Sequence, residues 1–226
     1  MNLPISFEDD NVVAFNKPAG LVVHPFDYSS EETLLDYLKE KYPQTFDISN
    51  EKKLQDGRII NLGGLVHKLD RDTSGIILVA KNQKTFDSLK SFFKERQIKK
   101  TYIALVEGII NDNEFVINAP LGREKKNYRQ VANPTNLRGE LREAITNVKV
   151  LGNKNGNTLV ELNPITGRTH QLRAHMKYIK HPIIGDKIYG TIIDNQRLML
   201  HAQKIEFILN DKKYLIETEI PKEFNI

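Results

Sequence analysis

Short runs rich in β-branched and aromatic residues, punctuated by turn residues, recur along the chain. They predict strands at Val12 to Phe15, Leu21 to Val23, Ile76 to Ala80, Tyr102 to Val106, Ala144 to Leu151, Thr158 to Leu162, Met199 to Leu209 and Tyr214 to Ile220. Asn16-Lys17-Pro18-Ala19-Gly20, between the first two runs, reads as a tight turn. Three segments carry a helical period instead. Ser29-Ser30-Glu31-Glu32 supplies an N-cap and a capping-box Glu ahead of Leu34, Leu35 and Leu38. Thr85 to Arg96 repeats Phe86, Leu89, Phe92 and Phe93, an apolar stripe that belongs to a core rather than to a base-stacking platform. Thr169 to Ile179 aligns Leu172, Met176 and Ile179, with Thr169 as its cap. Arg173 falls at the margin of the stripe, where it can reach inward to a carboxylate. Strands with few helices predict an α+β fold: a mixed, largely antiparallel central β-sheet flanked by helices and loops. No repeat, low-complexity tract or linker interrupts residues 1–226, so a single domain is expected.

Composition narrows the chemistry. The 226 residues are 39% hydrophobic and 27% charged, the balance of a packed globular chain. The absence of cysteine excludes disulfides, thiolate-bound zinc, iron–sulfur clusters and a cysteine nucleophile, and it suits the cytoplasm. The N-terminus has no signal-peptide pattern, and no stretch approaches the roughly 18 apolar residues of a membrane span. A net charge of +4 leans towards an anionic partner. Basic residues gather at Lys94, Arg96, Lys99 and Lys100, at Arg123, Lys125, Lys126 and Arg129, and at Arg138 and Arg142. Each cluster reads either as a phosphate-tracking face or as a solvated helix end or loop.

Phosphate-loop, dinucleotide, zinc-protease, nucleophile-elbow and EF-hand motifs are absent, which removes the usual support for those chemistries. His170 and His175, five residues apart, face different sides of a helix and do not form a metal pair, so hydrogen bonding or phosphate contact suits the histidines better. Leu65 to Gly75 crowds His67, Lys68, Asp70, Arg71, Asp72, Thr73 and Ser74 into a loop before an apolar strand. It is either a site loop or a turn capped by Asp72, Thr73 and Ser74. Thr166 to His175 opens a helix with Arg168, His170, Gln171 and Arg173 close together, a place where an anion is welcome. Tyr102 is either a core tyrosine or an aromatic contact to a base.

Six strings, in this order, resemble the RluA-type family of RNA pseudouridine synthases: NKPAGLVVHP from Asn16, HKLDRDTSG from His67, Lys-x-Tyr-x-Ala from Lys100, GRTHQLRAHM from Gly167, HPIIGDKIYG from His181 and RLMLHA from Arg197. The resemblance implies a compact catalytic domain without an S4-like domain in front. It implies isomerisation of uridine to pseudouridine in ribosomal or transfer RNA stem-loops, with no metal or other cofactor; a monomer is expected because nothing outside the presumed core forms an obvious apolar patch. It gives Asp70 as the essential aspartate, Tyr102 as the active-site tyrosine and Arg173 as the basic residue paired with Asp70, with Leu172 packing beside them. His67, Lys68, Arg71, Thr73, Arg168, His170, Gln171 and Leu172 are the implied substrate-binding residues. The family's usual His-Arg-Leu-Asp reads His67-Lys68-Leu69-Asp70 here, which keeps the charge but loses the planar fork of Arg. Asp70 acts on C1′ as a nucleophile or removes the 2′ proton as a base. The competing readings are a catalytically silent RNA-binding module of the same fold and a glycoside or nucleoside hydrolase, for which Asp72 is the only obvious second acid.

Overall fold

The computed structural model describes residues 2–25, 31–54, 56–124, 129–134, 137–191 and 196–224. The chain forms two compact units, Met1–Ile98 with Lys204–Thr218, and Lys99–Gln203 with Glu219–Ile226.

The first unit contains β1 (Ile5–Glu8), β2 (Val12–Lys17), α1 (Leu34–Lys41), β3 (Glu51–Lys53), β4 (Ile59–Asn61), β5 (Ser74–Ala80) and α2 (Gln83–Lys94). It also holds the part of β13 (Leu200–Leu209) from Lys204 onward, and β14 (Lys212–Glu217). Its strands run β1-β2-β5-β13 with β14 on β13, and β3 and β4 form a separate hairpin. All seven residues of β5 are buried, as befits a strand covered on both faces and read as an unbroken apolar run. Its register against β2 pairs Val13 with Val79 and Phe15 with Ile77. Phe86 and Leu89 of α2 enter a core shared with Val12, Ile76, Leu78, Ile205 and Phe207. The helix starts at Gln83, two residues before the expected Thr85, because the Asn82 side chain accepts from the Thr85 N–H and caps it.

Two sequence expectations fail in this unit for local reasons. Leu21 to Val23 forms no strand: Val22 and Val23 give their carbonyls to the N–H groups of Leu34 and Leu35, so the segment serves the first turn of α1. The α1 cap is Thr33, whose hydroxyl accepts from the Asp36 N–H while the Asp36 carboxylate accepts from the Thr33 N–H, a capping box displaced from the expected one. Ser29 and Ser30 lie outside the described residues, while Leu34, Leu35 and Leu38 are buried as their spacing predicts.

The β1–β2 turn is built on Asp9. Its carboxylate accepts from the backbone N–H groups of Asn11 and Val12, from Lys212 Nζ and from the Tyr214 hydroxyl, each at 2.9 Å. Burial pushes this carboxyl up, but the four donors together outweigh it and hold it down at about 2. The folded value lies below the unfolded one, so the stabilisation is present above pH ~4 and is lost as pH falls towards 2. With allowance for solvent screening, Asp9→Asn is expected to lower stability at pH 7 by about 1–2 kcal/mol and by much less at pH 2. Urea midpoints at the two pH values check this, and an equal loss at both would refute it.

The second unit contains β6 (Lys99–Glu107), β7 (Glu114–Asn118), β8 (Leu121–Glu124), β9 (Gln130–Ala132), β10 (Leu137–Arg142), β11 (Ile145–Lys154), β12 (Asn157–Pro164) and α3 (Gln171–Tyr178), with the start of β13. Strands β6-β12-β11-β7 lie side by side, and β10-β8-β9 make a small sheet. Burial alternates along β12, the mark of one covered face, and Val160 and Leu162 meet Ile103, Val148, Leu172 and Met176 in the core. In both units every ladder whose register is described is antiparallel. The α+β architecture with a largely antiparallel sheet is therefore as expected. Among the described residues, no helix is long and apolar enough to cross a membrane.

Candidate active site

In the first unit, the loop that carries Asp70 is fixed by its backbone. Lys17 closes β2 with its side chain fully buried, and its ammonium donates to the carbonyls of Pro18 and Leu21 at 2.9 Å and of Arg71 at 2.8 Å. The Arg71 carbonyl also accepts from the Gly20 N–H, and Arg71 Nε donates back to the Gly20 carbonyl. Gly20 sits at φ +89, a left-handed conformation that favours glycine at this crossing. The turn closes when the Thr73 N–H donates to the Asp70 carbonyl, which leaves Thr73 buried and Asp70 half-buried just ahead of β5. A buried lysine at the hub of several carbonyls is hard to replace. Lys17→Met keeps the length of the side chain and removes the donor, so a loss of about 3 kcal/mol is expected, with a fall in kcat larger than the unfolded fraction explains. Chemical denaturation alongside single-turnover rates checks it, and wild-type stability in the variant would refute it.

The other implied substrate contacts of this unit divide by exposure. Lys68 and Arg71 are exposed, and Arg71 pairs with Glu31 at 3.2 Å. His67 accepts from the Leu78 N–H through Nε2 and stacks on Phe93 with ring centroids 5.0 Å apart, which ties the start of the loop to β5 and α2. Behind the loop, His24 Nδ1 bonds the Pro25 carbonyl and its Nε2 meets Lys52 Nζ at 3.1 Å. Burial lowers the His24 imidazole pKa and the charges of Lys52 and Lys68 lower it further, so the ring is neutral in a basic neighbourhood suited to an anion.

In the second unit, α3 and the turn after it build the other half of the candidate set. Arg173 is 6% exposed, and its guanidinium grips Asp186, itself fully buried, with Nε to Oδ2 at 2.7 Å and Nη2 to Oδ1 at 2.8 Å. Asp186 Oδ1 also accepts from the N–H groups of Ile188 and Tyr189. Burial pushes the Asp186 carboxyl up, but Arg173 and these backbone donors outweigh it and keep the group ionised. Gly185 makes the preceding bend at φ +73, where a Cβ would run into the Arg197 carbonyl. Arg173 therefore reaches inward to a carboxylate, as its helix position predicts, and within this unit that carboxylate is Asp186.

The N-terminus of α3 differs from its expected form. The helix begins at Gln171 rather than Thr169, and the capping position falls on His170, at φ 54 and without a side-chain cap. Gln171 does the work instead: its Oε1 accepts from the Thr166 hydroxyl and the Arg168 N–H, and its Nε2 donates to the Ile145 carbonyl and to Thr146. Gln171 thus clasps the GRTH loop to β11. Arg168 Nε donates to the Glu143 carbonyl, His170 Nδ1 meets the Tyr189 hydroxyl at 3.1 Å, and Leu172 is buried in the core. His175, expected to serve hydrogen bonding, bonds Thr146 and the Ala119 carbonyl with its two ring nitrogens. Tyr102 lies on β6, half-buried and packed against the core of the unit. Lys100, two residues before it, has its pKa lowered by burial. Of the described basic residues, Arg123 and Arg129 sit on β8 and just before β9, while Lys125 and Lys126 lie outside the described residues.

Lys17 and Asp186 stand in the motifs without an assigned role, and each organises the candidate residues of its own unit. The signal for Lys17 is a lysine two residues beyond the apolar run Val12 to Phe15, and for Asp186 an acid following a glycine in a Pro/Gly-punctuated loop.

Residues 11–178 match the model of the RNA pseudouridylate synthase family. The ribosomal large subunit pseudouridine synthase D of Borreliella burgdorferi is 37% identical over 100% of this chain and 68% of its own length. An uncharacterized RNA pseudouridine synthase of Bacillus subtilis is 36% identical over 98% of this chain and 69% of its own. Among solved structures, human RNA pseudouridylate synthase domain containing 1 superposes with a TM-score of 0.77 at 26% identity, covering 96% of this chain and 83% of that one. With its motifs in order along the strands and helix just described, the chain belongs to the RNA pseudouridylate synthase family, the isomerases that convert uridine in RNA to pseudouridine.

Proposed function

We propose that the protein isomerises specific uridines in stem-loops of ribosomal large-subunit or transfer RNA, as a cytoplasmic monomer acting as one catalytic domain, with Asp70, Tyr102 and Arg173 serving the same uridine. The observation that carries this reading is the Lys17-centred clamp, which holds the loop of Asp70 in one conformation at the entrance of β5. Catalytic groups need such fixed backbones, since an ångström of misplacement costs rate. The names of the Borreliella and other large-subunit relatives support the ribosomal assignment.

The reaction breaks the N1–C1′ bond, turns the uracil and joins C5 to C1′; the C5 proton leaves, N1 gains one, and the sum of atoms is unchanged. Asp70 attacks C1′ or takes the 2′ proton. Tyr102 stacks on the uracil and takes part in removing the C5 proton. Arg173, held by Asp186, is the basic residue that acts with Asp70 on the same uridine. The target nucleotide leaves the RNA stack to be reached, at a cost of a few kcal/mol recovered through stacking and phosphate contacts. Lys68, Arg71, Arg168 and His170 are the candidates for those contacts, with Thr73, His67, Gln171 and Leu172 shaping the walls.

The test is tritium release from RNA labelled at uridine C5, using total ribosomal and transfer RNA from cells that lack the protein. Release without free uracil, confined to one RNA fraction after separation, is the expected result. Free uracil would indicate hydrolysis, and no release from RNA shown to be unmodified would leave a silent binding module.

A further inference from the structure

A second concave site lies wholly within the unit formed by Lys99–Gln203 and Glu219–Ile226. It is a pocket of about 330 Å³ between α3, β9 and the turn at Tyr189, and its lining includes Glu124, Arg129, Gln130, Lys177, Tyr178 and Tyr189. Apart from Tyr189, none of these residues takes part in the chemistry described above. The volume is at the small end of ligand sites, too narrow for a helical stem and suited to one nucleotide.

Its walls have the makings of a nucleotide site. Tyr178, the last residue of α3, is 48% exposed, yet its hydroxyl is held at 3.0 Å by Asn133 Nδ2, so the ring is kept in place without being buried. Lys177 and Arg129 are exposed and bring two positive charges against the one carboxylate of Glu124. Gln130 and Glu124 offer polar groups for a base edge. The lining also includes Tyr189, whose ring lies 5.3 Å from the Arg173 guanidinium carbon and whose hydroxyl meets His170. A flat aromatic next to two cations is the combination that takes single-stranded nucleic acid, because every base has a π-face and every nucleotide a phosphate.

We propose that this pocket binds one unstacked nucleotide of the substrate RNA, a nucleotide other than the target uridine, with its base on Tyr178 and its phosphate against Lys177 and Arg129. The proposal rests on the RNA-modifying function set out above. It gives the enzyme a second reading head for RNA. Because Tyr189 touches both the pocket and Arg173, an occupied pocket also fixes the aromatic wall against which that arginine packs.

The experiment is steady-state tritium release from C5-labelled total RNA by the full chain, with Tyr178→Ala, Tyr178→Phe and the double variant Lys177→Ala/Arg129→Ala. Tyr178→Ala is expected to raise KM between about fivefold and a hundredfold, with the effect falling on KM rather than kcat, and Tyr178→Phe, which keeps the ring, to restore it. The double variant should reduce the slope of log KM against log salt by about two phosphate contacts. A Tyr178→Ala KM within twofold of wild type, in a protein with wild-type melting, overturns the proposal. If the wild type releases no tritium at all, the assigned activity falls instead. Filter binding of the same RNA then decides the pocket, where equal affinity of wild type and Tyr178→Ala overturns it and weaker binding by the variant upholds it.

Discussion

Asp70→Asn is expected to reduce pseudouridine formation by more than about a thousandfold while leaving the fold intact. The amide matches the carboxylate in shape but is neither a nucleophile towards C1′ nor a base for the 2′ proton, so both versions of the mechanism predict the loss. The loop is fixed by bonds to its backbone. They are the Lys17 ammonium on the Pro18, Leu21 and Arg71 carbonyls, the Gly20 N–H on Arg71, and the Thr73 N–H on the Asp70 backbone carbonyl. Since the amide keeps the size and shape of the carboxylate, melting within a few degrees of wild type and retained RNA binding should accompany the loss of tritium release. The contrast with Lys17→Met is the diagnostic: that variant loses stability and rate together, Asp70→Asn rate alone. Activity within tenfold of wild type in Asp70→Asn would remove Asp70 from the chemistry.

How far such residues can be read from sequence depends on whether their signal is local. The buried strand β5 and the alternating β12 announce themselves, because an unbroken apolar run and a period of two survive without knowledge of the neighbours. The segments that became β3, β4 and β8–β10 do not. They are three to six residues long and include Glu51-Lys52-Lys53 and Leu137-Arg138-Gly139-Glu140-Leu141-Arg142, whose charges mask any alternation. The α1 cap was misplaced because Thr33 and Asp36 form as good a capping box as the one expected four residues earlier, and the Val22 and Val23 carbonyls decide in its favour. Among the candidate residues, Asp70, Tyr102 and Arg173 are named through motif resemblance. The jobs of Lys17, His67 and Gln171 are not, since a polar side chain in a motif looks the same whether it faces a substrate or a buried carbonyl. Lysine in particular is read as exposed by default, and only the fold reveals the carbonyls that converge on Lys17.

Asp186→Ala is the substitution expected to cost most in stability. It removes the acceptor for Arg173 Nε and Nη2 and for two backbone N–H groups at a position with no exposure, and it leaves a guanidinium buried without that counterion. Breaking one side of a buried, hydrogen-bonded pair costs about 3–5 kcal/mol, which for a chain of this size lowers Tm by roughly 10 °C. Asp186→Asn retains the shape and part of the acceptor capacity and should lose less at pH 7. It also isolates the charge. Arg173 and the backbone donors hold the Asp186 carboxyl below its ordinary value, so the ionised pair stabilises the fold above the unfolded carboxylate pKa of about 3.9 and ceases to do so as pH falls through the lowered folded value. The gap in urea midpoint between wild type and Asp186→Asn should therefore be wide at pH 7 and should narrow towards pH 3; a gap independent of pH would refute the charge assignment. The double replacement Arg173→Met/Asp186→Leu removes both charges, and a buried pair exchanged for apolar side chains loses far less stability than the single variant. Under the proposed role of Arg173, its activity should nonetheless stay near that of a catalytically dead enzyme, because the guanidinium is gone. Recovered stability with recovered activity would reduce Arg173 to a packing residue, whereas recovered stability without activity separates what the pair does for the fold from what the arginine does for the uridine.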